Sequence, residues 1–173
     1  MFDPTAFENM KVVVDGAIYD EDLSGEITII DRNDFLNTAK LSRKYEISFI
    51  SKADNSVVCT FTMEAGLENL AAELLPSAHS ELLSGCQLFV KFSFLHPNER
   101  SYFQAIERCL KEIWGSERTI SQSACFDPFD EGNRVKNETI IFFNRLVYED
   151  QLDDILAMVK YMVVSMERLK TIV

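Results

Sequence analysis

The stretch Gln87-Leu88-Phe89-Val90-Lys91-Phe92-Ser93-Phe94-Leu95 decides how the chain folds. Leu88, Val90, Phe92 and Phe94 recur with period two, and Gln87, Lys91 and Ser93 fall between them, the pattern of a strand buried on one face only. Phe89 breaks the polar set. A parallel strand covered on both faces reads as a near-continuous apolar run, so the alternation predicts an antiparallel sheet with helices on one side and a more polar open face on the other.

Upstream of this strand, Tyr45, Ile47 and Phe49 alternate with Glu46 and Ser48. Asp54-Asn55 supplies a turn, and Val57, Cys59, Phe61 and Met63 then alternate with Thr60 and Thr62, which together predict a hairpin. A helix over 64–75 follows, with Leu67, Leu70, Ala71 and Leu74 on one face and Pro76 as its stop. Residues 77–85 read as a connection with a helical turn at 80–83. Further upstream, 11–19 and 25–31 are β-branched runs separated by the acidic segment 20–24, the signature of another hairpin. Residues 34–41 stay ambiguous, since Asn33 or Asp34 suits a helix cap with Phe35, Leu36 and Ala39 inward.

Downstream, Pro97 and Asn98 precede a helix to about Trp114 that carries Phe103, Ile106, Leu110 and Ile113 on its main face, and Gly115 is the expected C-terminal stop. Strands over 119–126 and 138–148 follow, joined by the loop 127–136, which reads as the most exposed in the chain. The last helix, over 150–172, has Leu152, Ile155, Val159, Met162, Met166, Leu169 and Val173 at alternating spacings of three and four, a stripe that suits either core packing or a homodimer seam.

The whole, residues 1–173, reads as a single two-layer α+β domain, with a predominantly antiparallel sheet, about three helices packed on one face and a long C-terminal helix. Segments 45–75 and 117–171 share the order strand, strand, helix and suggest a weak internal ββα duplication, without a residue-level repeat.

Composition narrows the functional classes. The 47% hydrophobic residues and 13 Phe provide an ordered core, while six Gly and four Pro are few. The net charge of -11 is uneven. Residues 1–34 hold nine Asp or Glu against two Lys or Arg, and 127–154 hold eight against three. Such a surface repels phosphate backbones and anionic headgroups, so neither nucleic acid nor a membrane is an expected partner; the acidity serves solubility in the first place, with a basic protein partner as the alternative. The first eight residues lack the basic start and apolar run of a signal peptide, and no run of about 18 apolar residues occurs, giving a cytoplasmic reading. Cys59, Cys86, Cys109 and Cys125 lie inside apolar patterns with no C-x-x-C pair and read as buried reduced thiols.

Residues that suggest chemistry are scarce. Asp20-Glu21-Asp22-Leu23-Ser24-Gly25-Glu26-Ile27-Thr28-Ile29-Ile30-Asp31 is similar to the twelve-residue calcium loop of EF-hands. That resemblance implies oxygen ligands from Asp20, Asp22, Ser24, the Glu26 carbonyl and Asp31, with Gly25 at the turn. Its twelfth position is Asp31 rather than Glu, and its flanks favour strands, so an acidic turn is the main reading and no metal residue is assigned. The loop around Asp127, Phe129, Asp130 and Glu131 gathers carboxylates beside Phe126 and Phe129, a set able to line an acidic pocket. His79 and His96 are the only near-neutral bases, and neither has a nucleophile at a recognised spacing, so both read as surface or boundary histidines. No phosphate loop, dinucleotide fingerprint, zinc-protease motif or nucleophile elbow occurs.

The leading expectation is a non-enzymatic protein-binding or adaptor domain, chaperone-like in mode, using an open sheet face or edge. Phe89, Lys91 and Ser93, aligned with Ser48, Thr60 and Thr62, would form the recognition patch, with Phe129 as a further anchor. A homodimer through the C-terminal helix or a sheet edge is also expected. No catalytic residue, cofactor or metal is assigned. In size and acidity the chain is similar to the small dimeric secretion chaperones, but without their opening helix. Two alternatives stand beside this: a small-molecule-binding domain or enzyme with an acidic pocket at 127–136, and a metal-regulated protein through 20–31.

Overall fold

The structure, a computed structural model, describes residues 6–74, 82–129 and 132–173. The elements run α1 (Ala6–Ser24), β1 (Ile27–Asn37), β2 (Ser42–Ser51), β3 (Asp54–Ala65), α2 (Leu67–Leu74), β4 (Cys86–Pro97), α3 (Arg100–Trp114), β5 (Thr119–Phe126), β6 (Arg134–Val147) and, after a 3-10 turn at Glu149–Gln151, α4 (Leu152–Leu169). The strands form one antiparallel sheet in the order β1-β2-β3-β4-β6-β5. The fold is α+β, with the helices against one face of the sheet and a long final helix, as the alternation in 87–95 predicts.

β4 is an inner strand, between β3 and β6. Leu88, Val90, Phe92 and Phe94 are all buried and meet Cys59, Phe61 and Met63 of β3 and Ile141 of β6 in the core. Each such side chain contributes about 1.5–3 kcal/mol on leaving water, which makes this layer the main source of stability. The apolar stripe of α4 covers it: Ile155, Val159, Met162, Met166 and Leu169 are buried. That stripe is therefore occupied by the sheet and is not available as a dimer seam. Trp114, at the end of α3, donates its indole N–H to Ser165 Oγ at 2.9 Å and ties α3 to α4. Gly115 closes α3 with φ +97, a conformation that favours glycine, and its N–H bonds Lys111 O.

Three expectations are corrected. Residues 11–19 are not a strand, because they belong to the 19-residue helix α1, one of four α-helices among the described residues. Val12, Val13 and Val14 mimic a strand, but Phe7, Met10, Val14 and Ile18 are spaced three, four and four apart, and all are fully buried on the helix's inner face. The expectation that no helix precedes the first strand is thus overturned by α1.

The segment 20–31 is accordingly not a hairpin turn, and it is not an EF-hand-like loop either. Asp20, Asp22 and Ser24 lie in the last turns of α1, and Gly25, with φ +87, ends the helix, its N–H bonding Asp22 O at 3.0 Å. Ile27 then begins β1. Carboxylates at the negative end of a helix dipole are unfavourable neighbours, which is why the sequence reads as a turn there. The ambiguous residues 34–37 extend β1, paired with β2. Among the described residues no group of three or more His, Cys, Asp or Glu is placed to hold a metal ion, and no helix is long and apolar enough to cross a membrane.

The third correction concerns buried polar groups and thiols. His96 is not at the boundary, because its ring is fully buried between Phe94, Tyr102 and Phe103. Cys59, Cys86 and Cys109 are buried, but Cys125 is exposed on the edge strand β5. Parts of the expected connection 77–85, including His79, and Asp130 and Glu131 lie outside the described residues.

Candidate functional site

The uncovered face of the sheet is built by alternation and register. Its rows run across the strands as Glu46, Thr62, Phe89, Phe142 and Thr119, then Ser48, Thr60, Lys91, Ile140 and Ser121, then Ile50, Val58, Ser93, Glu138 and Ser123. The expected alignment of Phe89, Lys91 and Ser93 with Ser48, Thr60 and Thr62 is therefore realised. Phe89 is half-buried, with no helix above it among the described residues, and packs edge to face on Phe142 with ring centroids 5.6 Å apart. The short threonines sink between longer neighbours: Thr60 shares a 2.8 Å hydrogen bond with Ser48, and Thr62 donates to Glu46 at 3.4 Å.

Charge on this face is unevenly placed. Lys44 pairs with Glu46 at 2.8 Å and with Glu64 at 3.5 Å, and the hydrogen bond to Glu46 holds its ammonium above the usual lysine range. Lys91 has no ion pair or hydrogen bond among the described residues. It lines a shallow concavity of about 660 Å³ with Ser93, Arg134, Lys136 and Glu138, over a floor that includes Val58. Arg134 donates to Leu95 O at 3.3 Å, and Lys136 lies 3.7 Å from Glu138. Among the side chains that line it, two lysines and an arginine thus face one carboxylate, so these side chains make the hollow cationic on a chain of net charge -11.

The sequence identified Lys91 and Ser93 and missed Arg134 and Lys136. Those two reach the site only because Leu95 pairs with Lys136 and Pro97 with Arg134. A period-two reading of 134–140 would have put both on one face, without showing which strand they join. Phe129 is 91% exposed, with its N–H on Asp127 Oδ1 at 2.9 Å, and it does not line the concavity. It is an isolated aromatic, apart from Phe89.

The acidic-pocket alternative calls for a pocket that holds two or more of Asp127, Asp130, Glu131 and His96, of which Asp130 and Glu131 lie outside the described residues. Asp127 sits in an exposed turn, while His96 is sealed under α3, with Nε2 against Asn137 Nδ2 at 3.0 Å and Nδ1 against Pro97 O at 2.7 Å. The structure does not bring those two residues to one pocket.

No family model, curated protein or solved structure matches the chain.

Proposed function

We propose that this is a non-enzymatic protein-binding domain, chaperone-like in mode, that takes an extended, acidic segment of another protein across the open sheet face. The observation that carries the reading is that the Phe89–Phe142 pair shares one face of the sheet with Lys91, Arg134 and Lys136 of the cationic hollow, a face on which no helix packs among the described residues. An aromatic anchor beside charged and hydroxyl groups is a common composition for a recognition surface. The overall acidity by itself suits solubility, with a basic partner as the alternative. The local charge at this site favours an acidic one, because attraction at contact distance outweighs the screened charge of remote surface groups. With α1 in place, the analogy with the small dimeric secretion chaperones extends from size and acidity to an opening helix. The four unpaired cysteines accord with a cytoplasmic location.

The experiment is affinity capture from the native cell with three forms of the chain: wild type, the double variant Lys91→Glu with Lys136→Glu, and Leu23→Gln on the far side in α1. The reading expects one set of proteins captured by wild type and Leu23→Gln and lost with the double variant. Equal capture by all three sinks it.

A homodimer is the second reading, and it rests on the β5 edge. β5 (TISQSACF) carries no charge and no proline, whereas the opposite edge strand, β1, is broken by a bulge after Ile29 and carries Asp31, Arg32 and Asp34. Edge strands that avoid pairing are usually protected by such devices, and β5 has none of them. Two copies of an acidic chain can meet there without opposing carboxylates.

A further inference from the structure

A second recess lies on the helix side of the sheet, and it stands independently of the open-face reading. Where β5 begins, β6 continues past it. At that point one β4 residue, Leu88, faces three residues of β6, Phe143, Asn144 and Arg145. Asn144 sits in the left-handed region with φ +55 and donates to Thr119 Oγ1 at 2.7 Å. A bulge of this kind re-aims side chains and is frequent beside binding sites, and a left-handed non-glycine residue is the strain that such sites retain.

The bulge turns Phe143 and Arg145 toward a recess of about 210 Å³, which Trp114, Arg118, Asp154 and Tyr161 complete. Its aromatic wall is ordered: Trp114 meets Phe143 at 5.8 Å and Tyr161 at 5.6 Å, both edge to face, and the indole is fixed by its bond to Ser165. Two guanidinium groups border it, and neither is fully engaged. Arg118 lies 4.9 Å over the Phe143 ring and makes a 3.5 Å bond to Phe143 O, but its Nε is buried without a hydrogen-bond partner among the described residues, and Glu117 approaches it only to 4.0 Å. Arg145 bonds Gln151 Oε1 at 2.9 Å and is 3.9 Å from Asp154. Charge-assisted bonds between guanidinium and carboxylate close to about 2.7–2.9 Å, so both arginines retain unused capacity.

We propose that this recess binds a small planar carboxylate, an aromatic or conjugated acid, with its ring against Trp114 and Tyr161 and its carboxylate between Arg118 and Arg145. Ring stacking on an aromatic wall and a carboxylate on a guanidinium fork are the two interactions the recess offers together. Its size sets the ligand class. Pockets for drug-sized molecules run to about 300–1,000 Å³, so this one takes a single ring with its acid group.

Trp114 is the only tryptophan of the chain, so its emission and its indole N–H resonance report directly on the site. The test is a titration of the full chain with benzoate to about 30 mM, a range that spans the affinity of a ligand this small, beside benzyl alcohol as the neutral isostere. Benzoate is expected to give a saturable change in Trp114 fluorescence and to move the indole resonance. Arg145→Gln, at an exposed position, is expected to weaken binding about tenfold or more at an unchanged melting temperature, the effect of losing a charge-assisted bond. Benzyl alcohol is expected to bind more weakly than benzoate by a similar factor. The proposal is overturned by the absence of a saturable response, by equal binding of benzyl alcohol, by unweakened binding to Arg145→Gln, or by benzoate binding that leaves the Trp114 resonance unmoved.

Discussion

Phe89 and Phe142 meet edge to face on the uncovered side of the sheet, with planes at 82°, while Phe92, on the same strand, points the other way and is fully buried. The two faces of β4 therefore make different demands. Phe92→Ala empties a core site and should cost about 3–5 kcal/mol. Phe89→Ala removes a half-solvated ring and one aromatic pair and should cost about 1 kcal/mol. Urea denaturation of both variants checks this. If Phe89→Ala proves as costly as Phe92→Ala, the ring is a core residue and the open-face site is lost.

The buried histidine has a determined tautomer. Thr139 donates to Asn137 Oδ1 at 3.0 Å, so the Asn137 amide nitrogen faces Gln122 Oε1 and His96 Nε2, each at 3.0 Å. Nε2 must then accept, and Nδ1–H donates to Pro97 O. Imidazole nitrogen NMR should show the Nδ1–H form, and a dominant Nε2–H form contradicts the network. Asn137→Ala leaves several partners unsatisfied and should lower stability by about 2–3 kcal/mol.

Thiol reactivity should separate one cysteine from three. Burial pushes the Cys59 thiol well above its ordinary range, raises that of Cys86 to about 12, and raises that of Cys109. Cys125 is exposed. Ellman's reagent on the native protein should label one thiol quickly, a phase that Cys125→Ser removes, with the others appearing only on unfolding. A second fast thiol in the native protein is incompatible with these positions.

Acid should loosen the junction of α1 with the first two strands. Burial alone would raise the Glu8 and Asp34 carboxyls, but hydrogen bonds from Lys11 and Arg43 overcome it and hold both below the usual range. A carboxyl lowered in the folded state contributes stability that is full above its unfolded value, about 4, and is lost as pH falls through the folded value. Melting temperature followed from pH 6 down to about pH 2 should therefore fall less steeply for Asp34→Asn than for wild type. Parallel curves would show that these pairs are not linked to folding.

The β5 edge should govern self-association. Light scattering over micromolar to near-millimolar concentrations should give a dimer for wild type and a monomer for Ser121→Lys with Ser123→Lys, since lysines on an exposed edge oppose strand addition. A wild-type monomer throughout that range removes the dimer reading.

Much of the layer structure was legible because it is local. Period-two alternation over 42–65 and 86–97 and the helical stripes of α3 and α4 each lie within one segment, and burial follows the alternation in β2 and β4, while in β3 Thr60 and Thr62 are buried as well. The failure at α1 is instructive for the same reason. The β-branched Val12-Val13-Val14 run outweighed the weaker spacing of Phe7, Met10, Val14 and Ile18, and only the sheet that buries those four side chains selects the helix. The site was half legible, since Lys91 and Ser93 follow from the strand itself.

What the sequence by itself determined is the α+β class, the inner face of β2, β3 and β4, and the end of α3 at Gly115, because each rests on contacts between near neighbours in the chain. Only the tertiary structure decided that Arg134 and Lys136 join Lys91, and that Trp114, Phe143 and Tyr161 share one recess. Those meetings depend on strand order, on register and on a bulge at 143–145. All three arise from the packing of distant segments, and period-two alternation permits many registers where packing admits one.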